Sequence, residues 1–276
     1  MPAEPAMQTA ESLLAAGDPA AALRALQQQV RGSAADPKLR VFLFQLLCVL
    51  GQWQRALDQL KVCGELDPGT LAMVSTYRAA VQCEGVRDAV FDGRSTPHVF
   101  GPPANWVALL AQALQLDAQG HAAQAAALRA QAFDEAPASP GQADGQAFGW
   151  IADADSRLGP VLEVIINGRY GWLPFIHLNK VDIEPVADLR DLVWAPAHIE
   201  FVNGADTVAL LPTRYPGSAQ ADDAALQLAR RTDWLPLAEG QYRGLGQRVL
   251  ATDGAESGLL ELRSLVLEPA AAAAAP

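Results

Sequence analysis

Asp153-Ala-Asp155-Ser-Arg157 sets two carboxylates and a guanidinium at alternate positions, a spacing with which a calcium loop can begin. Such a loop needs a bidentate glutamate at its twelfth position, and counting from Asp153 that position holds Val164. The run reads instead as a buried or loop-organising acid–arginine network. His198 and Glu200 would share a strand face, as would Asp182 and Glu184, which is minimal geometry for a metal pair. Neither has a third ligand in view, so they read as solvated strand faces. Gly244-Leu-Gly246 lacks the rest of a dinucleotide fingerprint and leads toward a strand. Cys48, Cys63 and Cys83 are too widely spaced for a CxxC element and read as reduced core thiols, consistent with cytoplasm. Gly-x-Ser-x-Gly, Walker and Cys–His signatures are absent. No catalytic, cofactor or metal site is assigned, and an enzyme with a pocket in the second half is the least favoured reading.

Pro212-Thr-Arg-Tyr-Pro-Gly-Ser218 is the least generic stretch. Its Pro-Gly reads first as a turn. Arg214 and Tyr215 beside that turn offer a contact site, since Arg and Tyr concentrate at interface hot spots.

The elements that would position such residues follow a repeat. Gly17, Gly51 and Gly120 each precede a similar stretch; Gly51 to Pro68 and Gly120 to Pro137 have equal length and the same glycine-alanine-proline frame. Gly17 and Gly51 stand 34 residues apart, the length of a tetratricopeptide repeat. In the clearest unit, Lys38 to Leu50 makes the first helix, with Leu39, Phe42, Leu43, Leu46, Leu47 and Leu50 on its apolar face. Gly51 ends it in a left-handed backbone, and Trp53, Ala56, Leu57, Leu60 and Cys63 line the second helix. A degenerate unit follows: Leu71 to Glu84 as one helix, Gly85 in the glycine place, Val86 to Phe91 as a short second helix. In this register Lys38, Val41, Gln45, Cys48 and Val49 face the groove, where they suit an amphipathic helix or extended peptide. They equally suit packing against the next repeat.

After Pro137-Ala-Ser-Pro-Gly141 the period changes. Asn167-Gly168, Asn203-Gly204 and Asp253-Gly254 are hairpin signals, flanked by strands at 161–166 and 170–175, 197–202 and 207–211, and 248–251 and 258–266. A short helix is expected at Asp222 to Arg231. The fold class is therefore α+β: tetratricopeptide-like hairpins over 1–138, then a mainly antiparallel β domain over 139–269, a small barrel or curled sheet. An alanine-rich end at 270–276 is expected to be unstructured.

The formal charge is −11, with 10 basic and 13 acidic side chains in residues 1–140 and 10 and 18 in residues 141–276. That argues against nucleic acid, which needs clustered Lys and Arg. The longest apolar stretch, Val41 to Leu50, is too short to span a bilayer. Met1 to Met7 has no basic segment leading into an apolar core, so no secretory signal is expected.

Several segments resemble the TagJ/ImpE family: Val41 to Trp53, Trp150-Ile-Ala-Asp-Ala-Asp-Ser-Arg-Leu-Gly-Pro160, Asn167-Gly-Arg-Tyr170, Asp188 to Trp194 and Leu211 to Ser218. The resemblance runs from about Ala10 to Pro269. It implies a cytoplasmic, non-enzymatic adaptor of bacterial type VI secretion. The implied partners are the N-terminal helix of the small contractile-sheath subunit and the ATPase that recycles the sheath. It carries over no catalytic, cofactor or binding residues.

Overall fold

The computed structural model describes residues 9–268, so the alanine-rich end lies outside it. Seven α-helices occupy the first half of the described residues, with one short strand between the fifth and the sixth. α1 (Ala10–Ala15) and α2 (Pro19–Gly32) form one hairpin, α3 (Pro37–Val49) and α4 (Trp53–Leu66) a second. α5 (Leu71–Phe91) follows, then the hairpin of α6 (Asn105–Ala118) and α7 (Ala122–Glu135). Asp18 and Asp36 cap α2 and α3, accepting from Ala21 N–H at 2.7 Å and Lys38 N–H at 2.9 Å. Pro19 and Pro37 stand at the first helical position, where the missing N–H costs nothing.

Gly17, Gly51 and Gly120 occupy the three bends with φ of +83°, +63° and +80°. At each, the next residue donates its N–H five residues back: Asp18 to Leu13, Gln52 to Leu47, His121 to Leu116, at 2.9, 2.9 and 2.8 Å. This closure satisfies carbonyls that the helix end would otherwise orphan, and it needs a left-handed residue.

Gly85 does not repeat the pattern. α5 runs unbroken through it for 21 residues and ends at Gly93, which takes the left-handed backbone at φ +68°. The second half of α5 carries Arg87, whose guanidinium is bonded twice to Glu163, at 2.8 and 2.9 Å. Charge-assisted bonds of about 1.5–3 kcal/mol each outweigh the roughly 1 kcal/mol that glycine costs mid-helix.

The strands are β1 (His98–Val99), β2 (Gly141–Ala143), β3 (Gln146–Phe148), β4 (Ile151–Asp153), β5 (Val161–Ile166), β6 (Arg169–Pro174) and β7 (Leu178–Ile183). β8 (Trp194–Phe201) and β9 (Asp206–Pro212) precede a single helical turn, α8 (Ala224–Gln227). β10 (Thr232–Ala238), β11 (Gln241–Gly246), β12 (Val249–Thr252), β13 (Glu256–Gly258) and β14 (Ser264–Leu267) complete the described elements. Nine of them form one sheet in the order β1-β6-β5-β9-β8-β7-β14-β2-β3. Its pairs are antiparallel except β1 with β6. The sheet is open rather than closed into a barrel. β10 and β11 form a ribbon, and β13-β12-β4 a small second sheet.

The β5–β6 turn, Asn167-Gly168, has positive φ at both residues, which matches the twist of the flanking strands. The Asn203-Gly204 hairpin joins β8 and β9 as expected. The Asp253-Gly254 hairpin is shorter than expected. β13 is only three residues long, and the chain leaves it at Leu259, whose N–H donates to the Arg248 carbonyl at 2.8 Å. It rejoins the large sheet as β14, where Asp144 receives Ser264 N–H at 2.7 Å. The helix expected at Asp222 to Arg231 is the one turn α8, because Ala229 turns left-handed at φ 53° and buries with Leu226 and Leu228.

One face of the sheet carries the helices, and their shared core includes Leu26, Phe44, Leu60 and Val90 together with Val161, Ile165, Trp172 and Trp194. The opposite face packs Leu162, Val164, Phe175, Ile199 and Leu211 against Leu250 and Leu259 of the small sheet and its loop. β5 is buried on both faces, hence its near-continuous apolar run.

Candidate functional site

α3 presents Lys38, Val41, Phe42 and Gln45 at i, i+3, i+4 and i+7, which is one helical face spanning about 10 Å. These four residues line an open groove of about 550 Å³, walled by Glu11 of α1, Asp67 and Thr70 beyond α4, and Asp188. The groove is closed at its inner end by the strand half. Gln45 donates to the Asp188 carboxylate at 3.3 Å and accepts Leu189 N–H at 3.2 Å. The 3₁₀ turn Leu189–Leu192 is held by the reciprocal caps of Asp188 and Asp191. Arg190 pairs with Asp188 and lies over the Tyr77 ring, 4.7 Å from its centroid.

Three of the five helix positions expected to face a partner thus share this groove: Lys38, Val41 and Gln45. The other two do not reach it. Cys48 and Val49 are fully buried, and their carbonyls accept from Arg214 at 3.4 and 2.8 Å. Arg214 and Tyr215 are buried as well, so neither is an exposed recognition tip. Arg214 serves as a remote cap for the C-terminal carbonyls of α3, where a cation suits the helix dipole. Burial draws its pKa down to about 10. Tyr215 donates to Asp153 at 3.0 Å and accepts Val249 N–H at 3.0 Å. Its ring lies so close to Gly244 that a Cβ there would meet it at 2.1 Å.

Away from the groove, a buried ion network joins α5, β5, the end of β4 and the residue before β12. Glu163 accepts from Arg87, from the Tyr170 hydroxyl at 2.5 Å, and from Arg248, which also binds Asp153. Asp155 holds Arg157 at 2.6 Å and receives Gly244 N–H at 2.9 Å. Glu84 accepts from the Trp194 indole at 2.7 Å. Burial alone would raise the pKa of Glu163, but Arg87 and Arg248 overcome it and hold it down to about 2. Burial raises Asp153 to about 6, since Arg248 is its only direct cation and Asp155 stands nearby. The acid–arginine network expected around Asp153 is therefore real. Its extension through Glu163 and Arg87 was not anticipated, although a glutamate inside Val161-Leu-Glu-Val-Ile-Ile166 signals a buried charge in need of a partner.

The strand-face residues have ordinary neighbours: His198 pairs with Asp206 at 2.9 Å, and Asp182 with Lys180 at 2.7 Å. Among the described residues no group of three His, Cys, Asp or Glu could hold a metal ion. Cys48, Cys63 and Cys83 are unpaired buried thiols whose pKa burial raises, the last to about 11. Other clefts lie elsewhere among the described residues. One, of about 550 Å³, lies between Thr76 and Ala79 of α5 and His198, Val208 and Leu210 of the sheet. Another, of about 450 Å³, has Phe133 and Trp150 in its walls.

A tetratricopeptide repeat model matches residues 13–80, and a model described as ImpE protein matches residues 145–266. The type VI secretion system accessory component TagJ of Pseudomonas aeruginosa is 54% identical over 260 residues, covering 94% of this chain and 91% of that protein. The chain belongs to the TagJ/ImpE family. A crystal structure of a Vibrio parahaemolyticus protein shares the fold at TM-score 0.86, over 94% of this chain and 97% of that one, with 24% identity. The two most distinctive TagJ/ImpE blocks in the sequence, Asp-Ser-Arg-Leu-Gly-Pro and Pro-Thr-Arg-Tyr-Pro-Gly-Ser, meet within the buried network. Tyr215 of one reaches Asp153 beside the other. Among the described residues no helix is long and apolar enough to cross a membrane.

Proposed function

We propose that this chain is a cytoplasmic, non-catalytic adaptor of type VI secretion, and that its α3 groove grips a short amphipathic helix. The occupant is the N-terminal helix of the small contractile-sheath subunit, held close to the ATPase that recycles the sheath. The observation that carries this reading is the helical face of Lys38, Val41 and Phe42, accessible in a groove that the buried Gln45 closes, in a chain so similar to an accessory component of that machine. A two-turn groove of this volume accepts one apolar helix face, the helix-in-groove mode of recognition. Calorimetry of the full chain with a peptide of the sheath subunit's N-terminal helix tests it. Saturable binding is expected, weakened at least about tenfold by Val41→Glu, which puts an uncompensated charge against the apolar face. Absence of binding, or binding indifferent to Val41→Glu, would count against it.

A second reading places the main contact on the strand half. It draws on Val208, largely exposed beside the cleft between α5 and the sheet. Val208→Asp would then weaken partner capture while Val41→Glu left it intact.

A further inference from the structure

The groove has a sign as well as a shape. Its floor is apolar at Leu39, Val41 and Phe42, and three carboxylates stand on its walls, Glu11, Asp67 and Asp188, against one ammonium, Lys38. The lining therefore carries −2. Arg190 lies outside the lining and pairs with Asp188, which brings the local balance to −1. That pairing leaves the acid facing the groove: the Asp188 side chain is 43% exposed and that of Arg190 only 18%, turned back over Tyr77. The three acids come from three separate segments, α1, the end of α4 and the turn before β8, so they rim the floor instead of continuing one charged helix face. The field of the whole chain adds to theirs, since its formal charge is −11.

We infer that the groove selects a basic amphipathic helix, one whose apolar stripe is flanked by Lys or Arg. The inference rests on the proposed helix-gripping role and adds the chemistry of the occupant. An acid-flanked helix of the same apolar face would meet like charge on three sides. A lysine-flanked one gains charge-assisted contacts at the rim and is steered in during diffusion. Lys38 is the exception on the rim, and replacing it should strengthen the preference.

The test uses the full chain and three synthetic 16-residue peptides sharing one Leu/Ile face at i, i+3, i+4 and i+7. Their flanks are all lysine, all glutamine or all glutamate. In about 50 mM salt the lysine peptide is expected to bind roughly tenfold tighter than the glutamine peptide, with the glutamate peptide weakest. In about 1 M salt, where charges are screened beyond about 3 Å, the three should converge to within about twofold. Lys38→Glu should tighten the lysine peptide about threefold and Glu11→Lys loosen it about threefold. Both side chains lie on the surface, and an unchanged melting temperature confirms that the fold is kept. Equal binding of the three peptides, all abolished by Val41→Glu, would overturn the charge selection and leave the helix-gripping role standing. Tighter binding of the glutamate peptide would also overturn it. No binding by any peptide would remove the helix-gripping role together with its charge.

Discussion

Glu163 joins more of the molecule than any other side chain described. It accepts from Arg87 on a helix, from Tyr170 on the neighbouring strand and from Arg248, the residue just before the small sheet's β12. Removing one carboxylate from a buried ionic set leaves positive charge uncompensated, since Arg87 keeps only the longer contact to Glu84 and Arg248 only Asp153, so Glu163→Gln is expected to destabilise by about 3–5 kcal/mol. Urea unfolding with circular dichroism checks this. The pH dependence follows from two carboxyls whose pKa values are shifted in opposite directions. Glu163 is held down to about 2, so its stabilisation is present above the usual carboxylate range and is lost as pH falls through about 4 toward 2. Asp153 is raised to about 6, so the fold takes up a proton there first. Stability should therefore rise as pH falls from 6 toward 4 and then drop below 4. Glu163→Gln should flatten the acid limb and also shrink the rise near pH 5, because the Glu163 charge helps to raise Asp153 and competes with it for Arg248. An unchanged acid limb in that variant would refute the assignment.

At the scale of elements, glycine is informative only when its backbone demands it. Gly51 combines φ +63° with a close neighbour, since a Cβ there would stand 2.8 Å from the Ala219 Cβ. Gly51→Ala is expected to cost more than the roughly 1–2 kcal/mol of left-handed strain alone. Gly85→Ala, inside α5 with open space around it, should instead stabilise by about 0.5–1 kcal/mol. Opposite shifts of the two urea midpoints verify the contrast. The same contrast shows what was legible in the sequence. The bends at Gly17, Gly51 and Gly120 could be read because repeat spacing and local backbone chemistry agree. Gly85 could not, because its helix is held by Arg87 reaching a glutamate 76 residues away. In the candidate site, Lys38, Val41 and Gln45 were legible from helical spacing. Cys48 and Val49 share that spacing, but periodicity cannot say which turn of a helix a remote segment covers. Arg214 is that segment, and a turn-flanking arginine looks the same in sequence whether it points to solvent or to a helix end.

At the scale of the whole molecule, the expected division near residue 138 separates two architectures, and we propose that it does not separate two independently stable bodies. The helix core continues into Trp172 and Trp194 of the sheet, and the ion network crosses the same junction. Fragments 1–138 and 139–269 should each lack a cooperative unfolding transition. The full chain should unfold in one step, with tryptophan fluorescence and circular dichroism coinciding. Two separated transitions would contradict a common core.

Arg230, near the start of β10, donates to the Leu14 carbonyl at the end of α1, 2.7 Å away and 216 residues earlier in the chain. The outermost wall of the groove is thus fastened by a side chain that leaves the ribosome long after the wall itself. If the groove captures a partner as proposed, a nascent chain would have the floor without its finished rim, and capture would wait for the completion of synthesis.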